Sequence, residues 1–145
     1  LAIPPPKNRN IFCEVIPIVT SNHDIAFNTN KAEFDSEELL ERIENDRDLF
    51  KEVIRIFVQD TPGLISLLGD GISERNGGRV EKAAHTIKGS CAMISAKRLE
   101  GLAHQLEMMG RENDLTGAEA VYQDVIDCFN DLKQIMMATL EKMQS

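Results

Sequence analysis

From Phe34 onward, apolar residues recur every three or four positions, the spacing of amphipathic helices. Asp35 and Glu38 have capping-box spacing, and Phe34 and Leu39 suit the accompanying hydrophobic staple, so a short helix is expected to about Glu44. Asn45 or Asp46 can cap a second helix with Phe50, Val53, Ile54, Phe57, Leu64 and Leu68 on its buried side. Pro62 and Gly63 interrupt that pattern and predict a kink before the helix resumes to about Glu74. "RNGG" then breaks the chain, with Asn76 as the next cap. Val80, Ala84, Ile87, Cys91 and Ile94 form one continuous stripe along a third helix. A tight break is expected near Ser95, a residue suited to cap the fourth helix, in which Leu99, Leu102, Ala103, Leu106 and Met109 face inward. Thr116 and Glu119 form another capping box, before a last helix carrying Val121, Val125, Phe129, Leu132, Met136 and Leu140.

Four long amphipathic helices with short connections predict an all-α fold, an antiparallel four-helix bundle with the short N-terminal helix as a lid on one end. Residues 1–33 read differently. They open with three consecutive prolines, continue through a β-branched run broken by Pro17, and end in a polar, turn-prone stretch. They are expected to form a mostly extended linker, with the bundle occupying 34–145.

Composition narrows the function classes. The chain has 145 residues and a net charge of −8, which argues against nucleic acid or an anionic membrane as main partner. Its three cysteines are far apart, and no CxxC pair occurs, which disfavours a zinc site or a disulfide framework and suits a reducing compartment. No apolar run approaches a membrane span, and a cytoplasmic location is expected. The first residue is Leu, so the chain is read as part of a longer protein whose membrane anchor, if it has one, lies elsewhere. Neither G-x-x-x-x-G-K nor G-x-G-x-x-G is present, so no ATP site of its own is expected.

One stretch resists a purely structural reading. In "EKAAHTIKGSCAMISA", His85 lies about 140° from the middle of the apolar stripe and therefore faces solvent. Lys82, Gly89 and Ala92 share that face, and Lys88 sits one turn on. Gly89 costs about 1 kcal/mol against alanine in a helix interior, yet it leaves the imidazole open to a convex partner. An exposed imidazole is largely neutral at pH 7, and a neutral ring nitrogen is a competent nucleophile toward phosphorus. Between Arg79 and Arg98 stand Arg79, Lys82, Lys88, Lys97 and Arg98 against the single acid Glu81, a basic patch on an acidic protein. On spacing alone, an ordinary surface histidine and a glycine that merely permits close helix packing remain open. If the chain reverses near Ala96, Glu107 falls level with His85, where it can accept a hydrogen bond from the ring or stand as a solvated glutamate. His104 lies on the outer face of the fourth helix without the lysine-glycine context, and His23 falls in the linker. A metal site on His85 and His104 lacks a third ligand at sensible spacing. The six methionines read as core and edge packing.

"AAHTIKGSCAMISAKRLEGLAHQLE" resembles the signature of histidine-containing phosphotransfer (HPt) domains in His85, Ile87, Lys88, Gly89, Ser90 and Leu99, and the helical layout from about Asp35 to Met143 resembles the family throughout. The resemblance implies a phosphocarrier of two-component phosphorelays, a monomer that takes a phosphoryl group from the aspartyl-phosphate of one receiver domain and passes it to another. It implies His85 as phosphoacceptor, Lys88 as electrostatic neighbour, Gly89 as clearance for the receiver, and Lys82 and Ala92 on the docking face. Glu107 would orient the ring. No cofactor is expected on this chain, since the receiver supplies the Mg²⁺. The parent is expected to be a hybrid sensor histidine kinase with this domain at its C-terminal end. Ser95 departs from a glycine common in the family, which bears on docking detail.

Two other readings compete. The phosphotransfer domain of a chemotaxis-type kinase, loaded directly by an ATP-binding domain, usually has a second glycine after the lysine and a Phe-Gly pair further on; here Ser90 and Ile94-Ser95 stand instead. A helical interaction module without phosphorylation would make His85 dispensable.

Overall fold

A computed structural model describes residues 33–144. The linker expected over 1–33 lies outside the described residues except for Glu33, which is buried, with Oε1 3.0 Å from Arg98 Nη1 and Oε2 3.6 Å from the Cys128 thiol. The described residues then form five helices: α1 (Ser36–Arg42), α2 (Arg47–Ser73), α3 (Gly77–Ile94), α4 (Lys97–Arg111) and α5 (Ala118–Gln144). No strand occurs among the described residues.

Helix starts obey local chemistry. The side chains of Asp35, Asp46 and Asn76 accept from the backbone N–H groups of Glu38, Leu49 and Arg79, each filling one orphan donor of a first turn. Neither expected capping box closes. Glu38 turns away from the Asp35 N–H, which donates instead to the Ser95 carbonyl, and its carboxylate accepts from Ser95 Oγ, Lys97 Nζ and Arg42 Nη2. Before α5, Asp114 accepts from the Thr116 N–H, and Gly117 at φ 81° makes the turn. Thr116 is thus spent in that turn and the helix begins two residues later. Helix α2 continues through Pro62 to Ser73. Its stripe also turns: Thr61 and Ile65 are buried where Leu64 was expected, and Leu64 is half-buried.

Helix directions are set by which residues meet. Along α3 and α4, Gly77 lies against Asn113, Glu81 pairs with Arg111 and His85 with Glu107, so one helix descends as the other ascends. Gly71 lies against Val80, and further from the turn Leu64 and Leu67 line one groove with Lys82, Ala83 and Thr86, which gives the same sense for α2 and α3. Tyr122 donates to the Ile65 carbonyl and Phe57 packs on Phe129, which does so for α2 and α5. With α4 also against α5, the four long helices close a ring. The core between them includes Ile54, Leu68, Val80, Ile87, Leu99, Leu106, Leu132 and Met136, all fully buried. Burial of each such side chain is worth about 1.5–3 kcal/mol, which is what holds these helices together. Met93, expected at an edge of the packing, is instead largely exposed.

One end of the bundle is closed by α1. Phe34 packs on Phe50 at a centroid distance of 6.2 Å, and Arg42 Nη1 donates to the carbonyls of Ala92 and Met93 at the end of α3. Ser95 does not cap α4, whose N-cap position belongs to Ala96 and has no side-chain hydrogen bond. It occupies the left-handed C-cap position of α3 at φ 64°, the conformation glycine adopts most cheaply. Its hydroxyl is taken by Glu38 at 2.6 Å, which leaves none for a helix cap.

Candidate functional site

The α3–α4 pair brings the candidate residues together. Because α3 buries Val80, Ala84, Ile87 and Cys91, His85 is turned outward, and its side chain is 68% exposed. On α4 the buried set is Leu99, Ala103, Leu106, Glu107 and Gly110, so the inward stripe is rotated from the expected one toward Glu107; Leu102 and Met109 are only half-buried. A carboxylate thus sits at the seam of two helices, 2% exposed, facing α3.

Four cationic or ionisable groups surround it. His85 Nδ1 lies 2.7 Å from Glu107 Oε2, and Arg111 Nη2 lies 3.3 Å from the same oxygen. Lys88 Nζ lies 2.6 Å from Oε1 as an ion pair rather than a well-directed hydrogen bond, and His104 Nδ1 stands 3.5 Å from Oε1. Lys88, with His85 and His104 adding to it, outweighs the cost of burial and holds the Glu107 carboxyl down at about 2. At neutral pH Glu107 is therefore ionised and can only accept. The hydrogen between it and His85 must belong to Nδ1, and in the neutral ring this leaves the lone pair on Nε2. Nε2 is the ring nitrogen away from the carboxylate, on a largely exposed ring.

Among the described residues, nothing beyond its chain neighbours and its own helix's backbone comes within 4 Å of where a β-carbon at Gly89 would stand. Close packing among those residues therefore does not account for this glycine. Lys82 is exposed and, with Leu64, Leu67, Arg79, Ala83 and Thr86, lines a groove of about 320 Å³ between α2 and α3. Ala92 is exposed, two turns beyond His85 on the same face. The structure brings His85, Lys88 and Glu107 together and leaves Gly89, Lys82 and Ala92 along the open flank.

Sequence reading missed two members of the cluster. His104 and Arg111 stand three residues before and four after Glu107, and helix neighbours at that spacing share a face. That signal was available once Glu107 had been placed level with His85. Among the described residues, no group of three or more His, Cys, Asp or Glu side chains is arranged to hold a metal ion. Cys91 is buried in the core, which pushes its thiol up to about 12.

Comparison with known proteins agrees with this architecture. A crystal structure of histidine-containing phosphotransfer protein B (HptB) from Pseudomonas aeruginosa PAO1 superposes with a TM-score of 0.71 at 20% identity, covering 76% of this chain and 96% of that one. No curated protein matched by sequence. The family model described as "Hpt domain" matches residues 52–138, a span that includes His85, Lys88, Gly89 and Glu107. The chain belongs to the Hpt domain family.

Proposed function

We propose that His85 is the residue on which this Hpt domain carries its phosphoryl group. Hpt domains are phosphocarriers of phosphorelay signalling, without an ATP site of their own, and they interact with receiver domains of two-component systems. The observation that carries the assignment is the buried, ionised Glu107 2.7 Å from Nδ1 of a largely exposed imidazole. The carboxylate fixes the tautomer in which Nε2 is the nucleophile.

In loading, the Nε2 lone pair forms the N–P bond as the acyl-phosphate P–O bond of the receiver's aspartate breaks, returning a free carboxylate to the receiver. The ring gains positive charge with Nδ1–H in place, and Glu107 offsets that charge. Return transfer to a second receiver reverses these bond changes. Lys88 keeps the carboxylate ionised and its charge beside the ring. A Mg²⁺ held by the receiver would offset charge on the transferring oxygens, and no metal is assigned to this chain. Gly89 gives the receiver clearance, and Lys82 and Ala92 belong to the docking face. The domain acts as a monomer in the cytoplasm, as the C-terminal module of a hybrid sensor kinase joined through the proline-rich segment.

Incubation with a panel of radiolabelled phospho-receivers tests this reading. Acid-labile label should pass to the wild type and chase onto a second, unphosphorylated receiver, and His85→Gln should take none. Label on His85→Gln equal to wild type would overturn the assignment.

A further inference from the structure

The buried carboxylate raises a question of its own: what keeps one of its oxygens directed at the histidine? The terminal torsion of a glutamate is broad, so the plane of the carboxylate swings unless both oxygens are held. Lys88 holds Oε1 from α3. On Oε2, the second partner beside His85 is Arg111, one turn further along the helix that carries Glu107. Arg111 is in turn held from α3: its Nε donates to Glu81 Oε2 at 2.9 Å, and Glu81 lies one turn before His85. A guanidinium is a planar fork with several donors, so one side chain can bridge two acceptors in a fixed geometry where a lysine cannot. Glu81, Arg111, Glu107 and His85 thus form a closed circuit that leaves α3, crosses to α4 and returns to the nucleophile.

We propose that Arg111 is a positioning residue for phosphotransfer, holding the plane of the Glu107 carboxylate so that an oxygen stays directed at His85 Nδ1, and that Glu81 holds Arg111 in that place. This rests on His85 being the phosphoacceptor. Arg111 acts through Glu107. Its effect is therefore on the tautomer of His85 and on the rate at which Nε2 is phosphorylated. With phosphoramidate as donor the step balances on the ring itself. The Nε2 lone pair forms the N–P bond, the donor's P–N bond breaks, ammonia departs, and the Nδ1–H stays in its hydrogen bond to Glu107. The charged and titratable groups facing this circuit are Lys88, His85 and Glu81 from α3 and His104 from α4.

The test compares wild type, Arg111→Gln, Arg111→Lys, Glu81→Gln and the double variant at pH 8. Imidazole ¹⁵N shifts report the tautomer, and intact mass reports phosphorylation by phosphoramidate. Arg111→Gln should give a mixed His85 tautomer and roughly two- to fivefold slower labelling, the range of a single partly exposed ion pair. Glu81→Gln should move both readouts the same way by less, and Arg111→Lys should restore part of the loss. The double variant should match Arg111→Gln, because Glu81 acts only through Arg111. An Arg111→Gln protein with wild-type helical spectrum and melting, but unchanged tautomer and rate, would overturn the proposal, as would additive losses in the double variant. Glu81→Gln lies on the surface and keeps the test open should Arg111→Gln unfold. If wild type and His85→Gln label equally, the phosphoacceptor assignment fails instead, and the two failures are told apart.

Discussion

Two glycines of the α3–α4 hairpin stand in opposite surroundings. A β-carbon at Gly110 would meet the backbone nitrogen of Glu81 and the carbonyl oxygen of Gly77, both at 2.6 Å. One at Gly89 would meet nothing within 4 Å. Both sit in helices, and both carry the conformational cost of glycine. Gly110 is kept by the fold, since it lets α4 pass against the start of α3 and sets the register that brings Glu107 to His85. Gly89 has no such neighbour among the described residues, which leaves clearance for a receiver as the reading to test. Composition alone does not distinguish a glycine that packing requires from one that it does not; the neighbours of an added methyl do.

Gly110→Ala should produce the largest effect. The clash is with backbone rather than a flexible side-chain end, so the helices must separate, at about 2–3 kcal/mol and a drop in Tm of roughly 10 °C or more. A melt within a degree or two of wild type would break the packing half of the comparison.

Acid titration tests the carboxylate that the Gly110 crossing places. The Glu107 carboxyl is lowered in the folded state, from an ordinary 4.5 to about 2. Its stabilising contribution is therefore complete above pH 4.5 and is lost as pH falls toward 2. Urea midpoints measured from pH 6 to pH 2 should fall less for Glu107→Gln than for wild type. Parallel curves would show that the cluster does not hold Glu107 ionised.

Gly89→Ala sharpens the other half. Alanine fits the open space and favours the helix, so stability should rise by up to about 1 kcal/mol. Phosphoramidate labelling should be unchanged, whereas transfer from a phospho-receiver should slow. Equal rates from both donors would remove the clearance role. Ser95→Gly should have the smallest effect. Relief of a left-handed residue at φ 64° is set against loss of the 2.6 Å bond to Glu38, so chemical denaturation should move by less than about 1 kcal/mol.

The helices were legible because each repeats an apolar stripe that ends in a break, and α1, α2 and α3 add an Asx cap. Asp46 and Asn76 cap as their positions suggest, and Val80 to Ile94 forms the stripe their spacing describes. The features that escaped the sequence depend on competition between partners. Glu38 has capping-box spacing, but Ser95, Lys97 and Arg42 are stronger claims on its carboxylate than one backbone N–H. Ser95 suits an N-cap by type, yet the turn requires a left-handed residue there and Glu38 takes its hydroxyl. Counting around a hairpin brought Glu107 level with His85 but left open whether it is solvated or buried. The answer depends on the tight crossing at Gly77 and Gly110 and on the long reach of Lys88 and Arg111, none of which periodicity encodes.

The most direct measurement is the intact mass of wild type, His85→Gln and His104→Gln after incubation with phosphoramidate. One acid-labile phosphoryl group is expected on wild type and on His104→Gln, and none on His85→Gln. Equal labelling of all three would contradict the assignment, because the nucleophile would then not be His85.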